Sequence, residues 1–322
     1  MTPVRILFFG SPDFAVPTLR ALVASAHTVV GVVTQPDRPR GRGQHVTRGA
    51  VAAAADALGL AVVQPVRLAD PGVRETLAAF AADLGVVAAY GKILPEWLLA
   101  LPAQGMVNVH ASLLPKYRGA APVHRAVIAG ERESGVTIMR VVAALDAGPM
   151  LERVVVPIGP DQTSAELEEV LGAVGATLLV QVVDRLAAGP VLETAQAEAA
   201  ATYAAKVTRA DSPVDWAFPA SVIHNRIRGL HPWPHASALL AGKRVILHRS
   251  TRLDAAYAAP SGIVHAPSGT VHAAAAAGLD VVAGDGALVR LLELQAEGGR
   301  RLPAVDFLAG RAVGPGDRFE VS

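Results

Sequence analysis

From its fourth residue the chain alternates short, β-rich apolar runs with helical stretches. Strands are expected over 4–9, 28–34, 61–63, 84–89 and Met106–His110, with helices over 12–24 and 50–58. Strands that read as continuous apolar runs between helices indicate a mostly parallel sheet with helices on both faces. Such sheets bind ligands beyond the carboxyl ends of their strands. A further strand is expected over 136–142, and an amphipathic helix over 164–186, opened by Ser164 and closed by Gly189-Pro190.

Beyond this point the pattern changes. Residues 190–205 are rich in Ala, Glu and Thr without a clear period, and then short strand candidates (245–248, 262–265, 279–283, 288–294) are separated by Gly, Pro and Ser. That spacing suits a small β-barrel. A length of 322 residues also exceeds the ~250–300 at which single cores stop growing. The expected division is a domain over 1–189, a linker over 190–207 and a second domain over 208–322.

No apolar run near the ~20 residues of a membrane span is expected, and the N-terminus enters a strand without a cationic leader. A cytoplasmic protein without membrane contact is the expectation. The absence of cysteine removes disulfides, thiol nucleophiles and thiolate metal sites together, so chemistry must come from oxygen and nitrogen groups.

Formal net charge is only +1, but it is unevenly distributed. Arg38, Arg40, Arg42 and Arg48 fall within eleven residues that hold no acid. Residues 206–253 carry eight Lys or Arg, including Lys206, Arg209, Lys243 and Arg244, against Asp211 and Asp215. A polyanion meets local patches rather than net charge, because screening confines interactions to about 8–10 Å.

The first strand-to-helix turn, Gly10-Ser11-Pro12-Asp13-Phe14, places Ser11 to cap the helix and Pro12 at its first position. It lacks GxGxxG, which argues against a dinucleotide cofactor. The informative segment is Met106–His110 followed by Ala111-Ser112-Leu113-Leu114-Pro115. Asn108 and His110 lie two apart in a strand and face one side. An amide and an imidazole at the end of a parallel strand can stabilise an oxyanion and move a proton, or can simply tie a loop to the sheet. Asp146, in the turn Ala144-Leu145-Asp146-Ala147-Gly148-Pro149, could approach His110. His124, His231 and His235 show no ligand spacing and are assigned to packing or surface, as Trp216 and Trp233 are to core.

Taken together, Asn108-x-His110, Ser112-Leu113-Leu114-Pro115, Tyr117-Arg118-Gly119-Ala120-Ala121-Pro122 and Asp146-Ala147-Gly148 resemble the folate-dependent formyltransferases. The resemblance implies a Rossmann-like catalytic domain and a C-terminal OB-like β-barrel. It implies 10-formyltetrahydrofolate as formyl donor, with Asn108, His110 and Asp146 around the formyl group and Ser112, Leu113, Leu114 and Pro115 lining the folate site. A substrate amine would attack the formyl carbon directly. Asn108 would donate to the oxyanion, protonated His110 would stabilise it and shuttle a proton, and Asp146 would raise the histidine pKa. The scheme calls for no metal.

Members of this family formylate ribonucleotide amines, a nucleotide sugar or the methionine of charged initiator tRNA. Thr34-Gln35-Pro36-Asp37-Arg38-Pro39-Arg40-Gly41-Arg42-Gly43-Gln44 looks like the basic loop that the tRNA-dependent members set against the acceptor arm. Thr202–Val207, Val214-Asp215-Trp216 and Ile227–Pro234 resemble their C-terminal domain. The resemblance therefore implies formylation of the α-amino group of methionyl-initiator tRNA by a monomer, with Arg38, Arg40, Arg42, Lys206, Arg209, Lys243 and Arg244 as candidate RNA contacts. A nucleotide-sugar formyltransferase and a non-catalytic RNA-binding relative are the alternatives. One departure is clear: where the family usually has Asn-Pro-Trp-Pro-Gly, this chain has His231-Pro232-Trp233-Pro234-His235.

Overall fold

The computed structural model describes residues 2–40, 45–256 and 266–322. The chain forms two compact units. The first comprises Met1–Pro122, Glu133–Pro157 and Glu168–Ala204, and the second Val123–Arg132, Ile158–Leu167 and Ala205–Ser322.

The first unit is built on a seven-stranded sheet. Its strands are β1 (Arg5–Gly10), β2 (Thr28–Val33), β5 (Val62–Val63), β6 (Leu84–Ala88), β7 (Met106–His110), β9 (Glu133–Arg140) and β10 (Met150–Pro157). The order is β10-β9-β7-β6-β1-β2-β5. The five strands from β7 to β5 are parallel, while β9 and β10 run antiparallel at one edge. Two short pairs lie off this sheet: β3 (Arg38–Arg40) with β4 (His45–Thr47), and β8 (Arg118–Gly119) with β11 (Tyr203–Ala204). Ile6, Leu7, Phe8 and Phe9 of β1 are all fully buried, as a central strand covered on both faces requires.

Helix α1 spans Val16–Val23, α2 Ala50–Ala57, α3 Val73–Ala78, α4 Glu96–Leu99, α5 Pro122–Ala129 and α6 Ser164–Ala188. Against the expectation, α6 is long and apolar enough to cross a membrane by length and composition. Its residues are nevertheless sorted by face: Leu171, Leu178, Leu179, Val182 and Val183 are buried, while Ala173, Thr177, Gln181 and Arg185 are exposed. That is the pattern of an amphipathic core helix. It lies close on the sheet, since a Cβ at Gly175 would stand 3.0 Å from Val109 of β7.

Two expected caps differ from those observed. Ser11 caps no helix; its hydroxyl accepts from the Gln35 N–H at 3.2 Å and faces the Tyr90 carbonyl at 3.4 Å, joining three strand ends. At the start of α6 the cap is Thr163, whose hydroxyl accepts from the Glu166 N–H while the Glu166 carboxylate accepts from the Thr163 N–H. Such a reciprocal pair satisfies two otherwise orphaned donors. Ser164 instead donates to the Gly229 carbonyl.

The second unit is an antiparallel sheet. It contains β12 (Ala236–Leu240), β13 (Lys243–Ala256), β14 (Val271–Ala275), β15 (Gly278–Val282), β16 (Ala287–Ala296), β17 (Leu302–Pro303) and β18 (Phe319–Val321), with helices α7 (Ala220–Gly229) and α8 (Ala304–Ala309). The order is β14-β15-β16-β13-β12-β18, and a bridge between Thr270 and Arg318 joins the two edges. The expected α/β sheet with an OB-like barrel is thus the observed fold. The strand expected at 262–265 lies outside the described residues. Trp216 is buried against Phe319, as expected, but Trp233 is 49% exposed and is not a core residue.

Candidate active site

Strands β1, β2, β6 and β7 are parallel and end at Gly10, Val33, Ala88 and His110, so the loops that follow them gather at one edge of the sheet. There the segments after β1, β2 and β6 line an open cleft of about 290 Å³ bounded by Ser11, Thr34, Gln35, Asp37, Gly49 and Ala89 among others. Tyr90 lies beside it, with its ring buried and its carbonyl accepting from the Gln35 amide at 2.8 Å. Burial pushes the Tyr90 phenol up to about 12, so it stays a neutral hydroxyl at physiological pH.

Asn108 and His110 leave β7 on the same face, as their spacing predicts. His110 is 5% exposed. Its Nε2 lies 3.0 Å from the Tyr117 carbonyl, which can only accept, so Nε2 carries a proton. This leaves Nδ1, 3.7 Å from the Asp146 carboxylate, as the nitrogen able to exchange one. Asn108 is half-exposed, and among the described residues none hydrogen-bonds its amide, which leaves its donors available. A free amide donor beside a buried imidazole is a donor set that fits the carbonyl oxygen of a formyl group.

Asp146 is held by two hydrogen bonds. Its Oδ2 accepts from the Gly119 N–H at 2.8 Å. Its backbone has φ +47°, a left-handed conformation uncommon outside glycine that persists only where surroundings impose it. The Gln196 amide imposes it by donating to the Asp146 and Gly148 carbonyls at 2.8 and 2.7 Å. Gly148 permits the turn, because a Cβ there would lie 2.0 Å from the Arg140 carbonyl.

Gln196 is itself fixed: its carbonyl accepts from Arg118 Nε at 3.0 Å. Arg118 is 2% exposed, and its Nη1 meets the Glu198 carboxylate at 2.9 Å. Thr202 accepts the Tyr117 N–H at 2.8 Å. Residues 194–204 therefore brace the turn that carries Asp146. Sequence reading missed Gln196 because nothing in its neighbourhood marks it; the only signal was Arg118 in the Tyr-Arg-Gly-Ala-Ala-Pro motif, a charge needing a buried partner.

In the loop that follows β7, Leu114 is buried and its N–H donates to Thr137 Oγ1 at 3.2 Å. Ser112 is buried and its hydroxyl donates to the Lys116 carbonyl at 2.6 Å. Ser112 thus shapes the loop rather than offering a free group, while Leu113 and Pro115 remain half-buried at its surface.

The basic candidates fall in different settings. Arg38 is exposed and donates to Gln35 Oε1 at 3.1 Å. Arg40 closes β3, and Arg42 lies outside the described residues. Arg48, counted in the same cluster, is neutralised: it pairs with Asp56 at 2.8 Å and Asp37 at 3.1 Å, and Asp56 first, then Asp37, holds its guanidinium above the usual value. Lys206 and Arg209 are exposed, as are Lys243 and Arg244. The last two follow the tight Ala241-Gly242 turn, both residues having positive φ, and as neighbours in β13 they point to opposite faces.

The chain matches the model of the formyl transferase family over residues 4–183 and that of the formyl transferase C-terminal domain over residues 206–312. It is 45% identical to the methionyl-tRNA formyltransferase of Methylococcus capsulatus over 310 residues, 96% of this chain and 98% of that one. It is 46% identical to the enzyme of the same name from Thiobacillus denitrificans, over 98% and 99% of the two chains. Among solved structures, HypX from Aquifex aeolicus in complex with tetrahydrofolic acid superposes with a TM-score of 0.65 at 17% identity, over 95% of this chain and 47% of that one. An N-formyltransferase from Helicobacter canadensis, with folinic acid and dTDP-3-aminofucose, gives 0.65 at 16% identity over 90% and 99%. These two show the shared fold. With both domains matched in order and near-complete overlap at this identity, the chain belongs to the formyl transferase family, in its methionyl-tRNA formyltransferase branch.

Proposed function

We propose that this chain transfers the formyl group of 10-formyltetrahydrofolate to the α-amino group of methionyl-initiator tRNA. The observation that carries the reading is the 45% identity to a methionyl-tRNA formyltransferase over 96% of this chain. The disposition of Asn108, His110 and Asp146 at the sheet edge supports the chemistry.

Reduced folate supplies an activated formyl carbon for a nucleophilic amine. Asn108 donates to the formyl oxygen as it gains negative charge, a contribution worth about 10²–10³ in rate for one well-placed donor. His110, oriented through Nε2 by the Tyr117 carbonyl, uses Nδ1 to take the proton released by the attacking amine and to return it to the folate N10 as the formyl carbon–N10 bond breaks and tetrahydrofolate leaves. Asp146 faces that nitrogen and stabilises the imidazolium that results. Ser112, Leu113, Leu114 and Pro115 form the wall against the folate, and the transfer needs no metal.

For the acceptor, Arg38, Arg40 and Arg42 of the basic segment 34–44, with Lys206, Arg209, Lys243 and Arg244, are assigned to tRNA phosphates. Residues 1–189 serve catalysis, 208–322 bind tRNA, and 190–207 connect them while bracing Asp146. The protein works as a cytoplasmic monomer.

Transfer of labelled formyl to purified initiator methionyl-tRNA is the test, with uncharged tRNA and an amino sugar nucleotide as controls. Label on the methionine is expected. Label on the sugar alone would keep the catalytic assignment and overturn the tRNA reading.

A further inference from the structure

The second unit contains a cluster of three histidines outside the catalytic scheme. His231 and His235 flank the Pro-Trp-Pro turn between α7 and β12, and His248 lies on β13. One ring nitrogen from each lies within 4.8 Å of the others. The rings of His235 and His248 are 4.4 Å apart between centroids, and those of His231 and His235 5.2 Å.

His248 is buried and His231 and His235 are half-buried, and their hydrogen bonding is unusual. Nδ1 of His231, His235 and His248 is in each case shielded from solvent and has no partner among the described residues. His248 is 4% exposed. Its other nitrogen, Nε2, lies 2.9 Å from Gln295 Oε1, so Nε2 bears the proton and the orphaned Nδ1 presents a lone pair to the cluster. Leaving such an atom unsatisfied costs about 1–3 kcal/mol, and here three such atoms occur within one cluster. His235 adds a backbone cost, holding φ +67° at the position where its family usually has glycine.

We propose that His231, His235 and His248 form a binding site for a borderline divalent transition metal of the Zn²⁺ class. Three neutral imidazoles suit such an ion, and a fourth position is left for water. Zn–N bonds of about 2.0–2.1 Å place tetrahedral ligand atoms about 3.3 Å apart, so small side-chain rotations close the set. Gln295 plays the part of the acceptor that fixes the tautomer and orientation of a metal-bound histidine. The nearby guanidinium groups of Arg301 and Arg249 are each paired with a carboxylate, Glu293 and Glu166 respectively, which offsets their repulsion of a cation. The bound ion would fasten the 230–235 turn to β13.

The untagged full-length chain, stripped with chelator, is titrated with Zn²⁺ and with Co²⁺. One equivalent bound per chain is expected, with the intense visible absorption of four-coordinate Co²⁺. A Tm rise of about 5 °C is expected at metal about 100-fold above Kd. The double variant His231→Asn with His235→Gly installs the residues common in the family, keeps the fold by circular dichroism, and should weaken binding more than about 100-fold. Gln295→Ala should weaken it about 10- to 100-fold, while His272→Asn, outside the cluster, should bind as the wild type. Absence of saturable binding to the wild type, or binding undiminished in the double variant, would overturn the site. Equal loss in His272→Asn would do so too.

Discussion

His110 and the trio of His231, His235 and His248 are two uses of buried imidazole in one chain, and they differ in how each is satisfied. Around His110 the ring is anchored: Nε2 meets the Tyr117 carbonyl, Nδ1 stands 3.7 Å from the Asp146 carboxylate, and Asp146 is in turn held by hydrogen bonds from Gly119 and Gln196. Around the trio the rings are not anchored in this way: each of the three Nδ1 atoms is shielded and without a partner among the described residues. A satisfied network fixes the geometry of groups that act on a substrate arriving from outside. An unsatisfied one that folding nonetheless retains points to something supplied from outside to the network itself.

The largest effect expected on the satisfied side is at the histidine. His110→Ala should lower the rate of formyl transfer about 10²- to 10⁴-fold, and Asn108→Ala about 10²- to 10³-fold, both by single-turnover measurement. An unchanged rate in His110→Ala would remove it from the chemistry and leave it, like a tied loop residue, purely structural.

A smaller loss is expected from the bracing segment. Gln196→Ala frees the Asp146 and Gly148 carbonyls and takes the acceptor from Arg118, a guanidinium 2% exposed. Transfer should slow about tenfold, ~1.4 kcal/mol in barrier, with stability lowered by about 1 kcal/mol per bond lost. If stability falls and the single-turnover rate does not, the satisfied network would be needed for folding alone, and the contrast with the trio would weaken.

These regions also differ in how far they could be read from sequence. The parallel sheet was legible because period and apolar runs are local, and Met106–His110 forms with the expected bounds. Asn108 and His110 were legible because a two-residue spacing in a strand fixes a common face. Gln196 was not, since its role depends on an Arg118 contact 78 residues away. The trio was not, since His231 and His235 sit across a proline-rich turn, where spacing predicts no shared face, and the third member comes from a different strand. Ser11 and Ser164 were read as caps from local preference, but tertiary partners claimed their hydroxyls.

Backbone strain gives a third contrast. Asp146 at φ +47° and His235 at φ +67° are both left-handed. Asp146 is held by hydrogen bonds from Gly119 and Gln196, whereas His235 has a ring nitrogen without a partner among the described residues. In metal-free protein, His235→Gly should therefore stabilise the chain by about 0.5–1 kcal/mol, read by denaturant unfolding. Destabilisation instead would mean that the ring contributes packing that outweighs its strain.

The smallest effect expected is one of pH, at a histidine that belongs to neither group. His224, 4% exposed in α7, has both nitrogens engaged: Nε2 at 2.9 Å from the Pro160 carbonyl and Nδ1 at 2.9 Å from the Ser250 hydroxyl. Asp161 stands 3.4 Å away and favours protonation, and Arg228 and Arg252 oppose it. Burial dominates and lowers its pKa below the usual 6.5. A group that is neutral when folded but protonates when unfolded contributes stability above about pH 6.5, and that contribution shrinks as pH falls through and below this value. Unfolding free energy should therefore decline more steeply between pH 7.5 and 5.5 in the wild type than in His224→Gln, which keeps a polar group without the titration. Equal slopes would show that Asp161 compensates the burial, making His224 a satisfied imidazole on the pattern of His110 rather than an intermediate between the two.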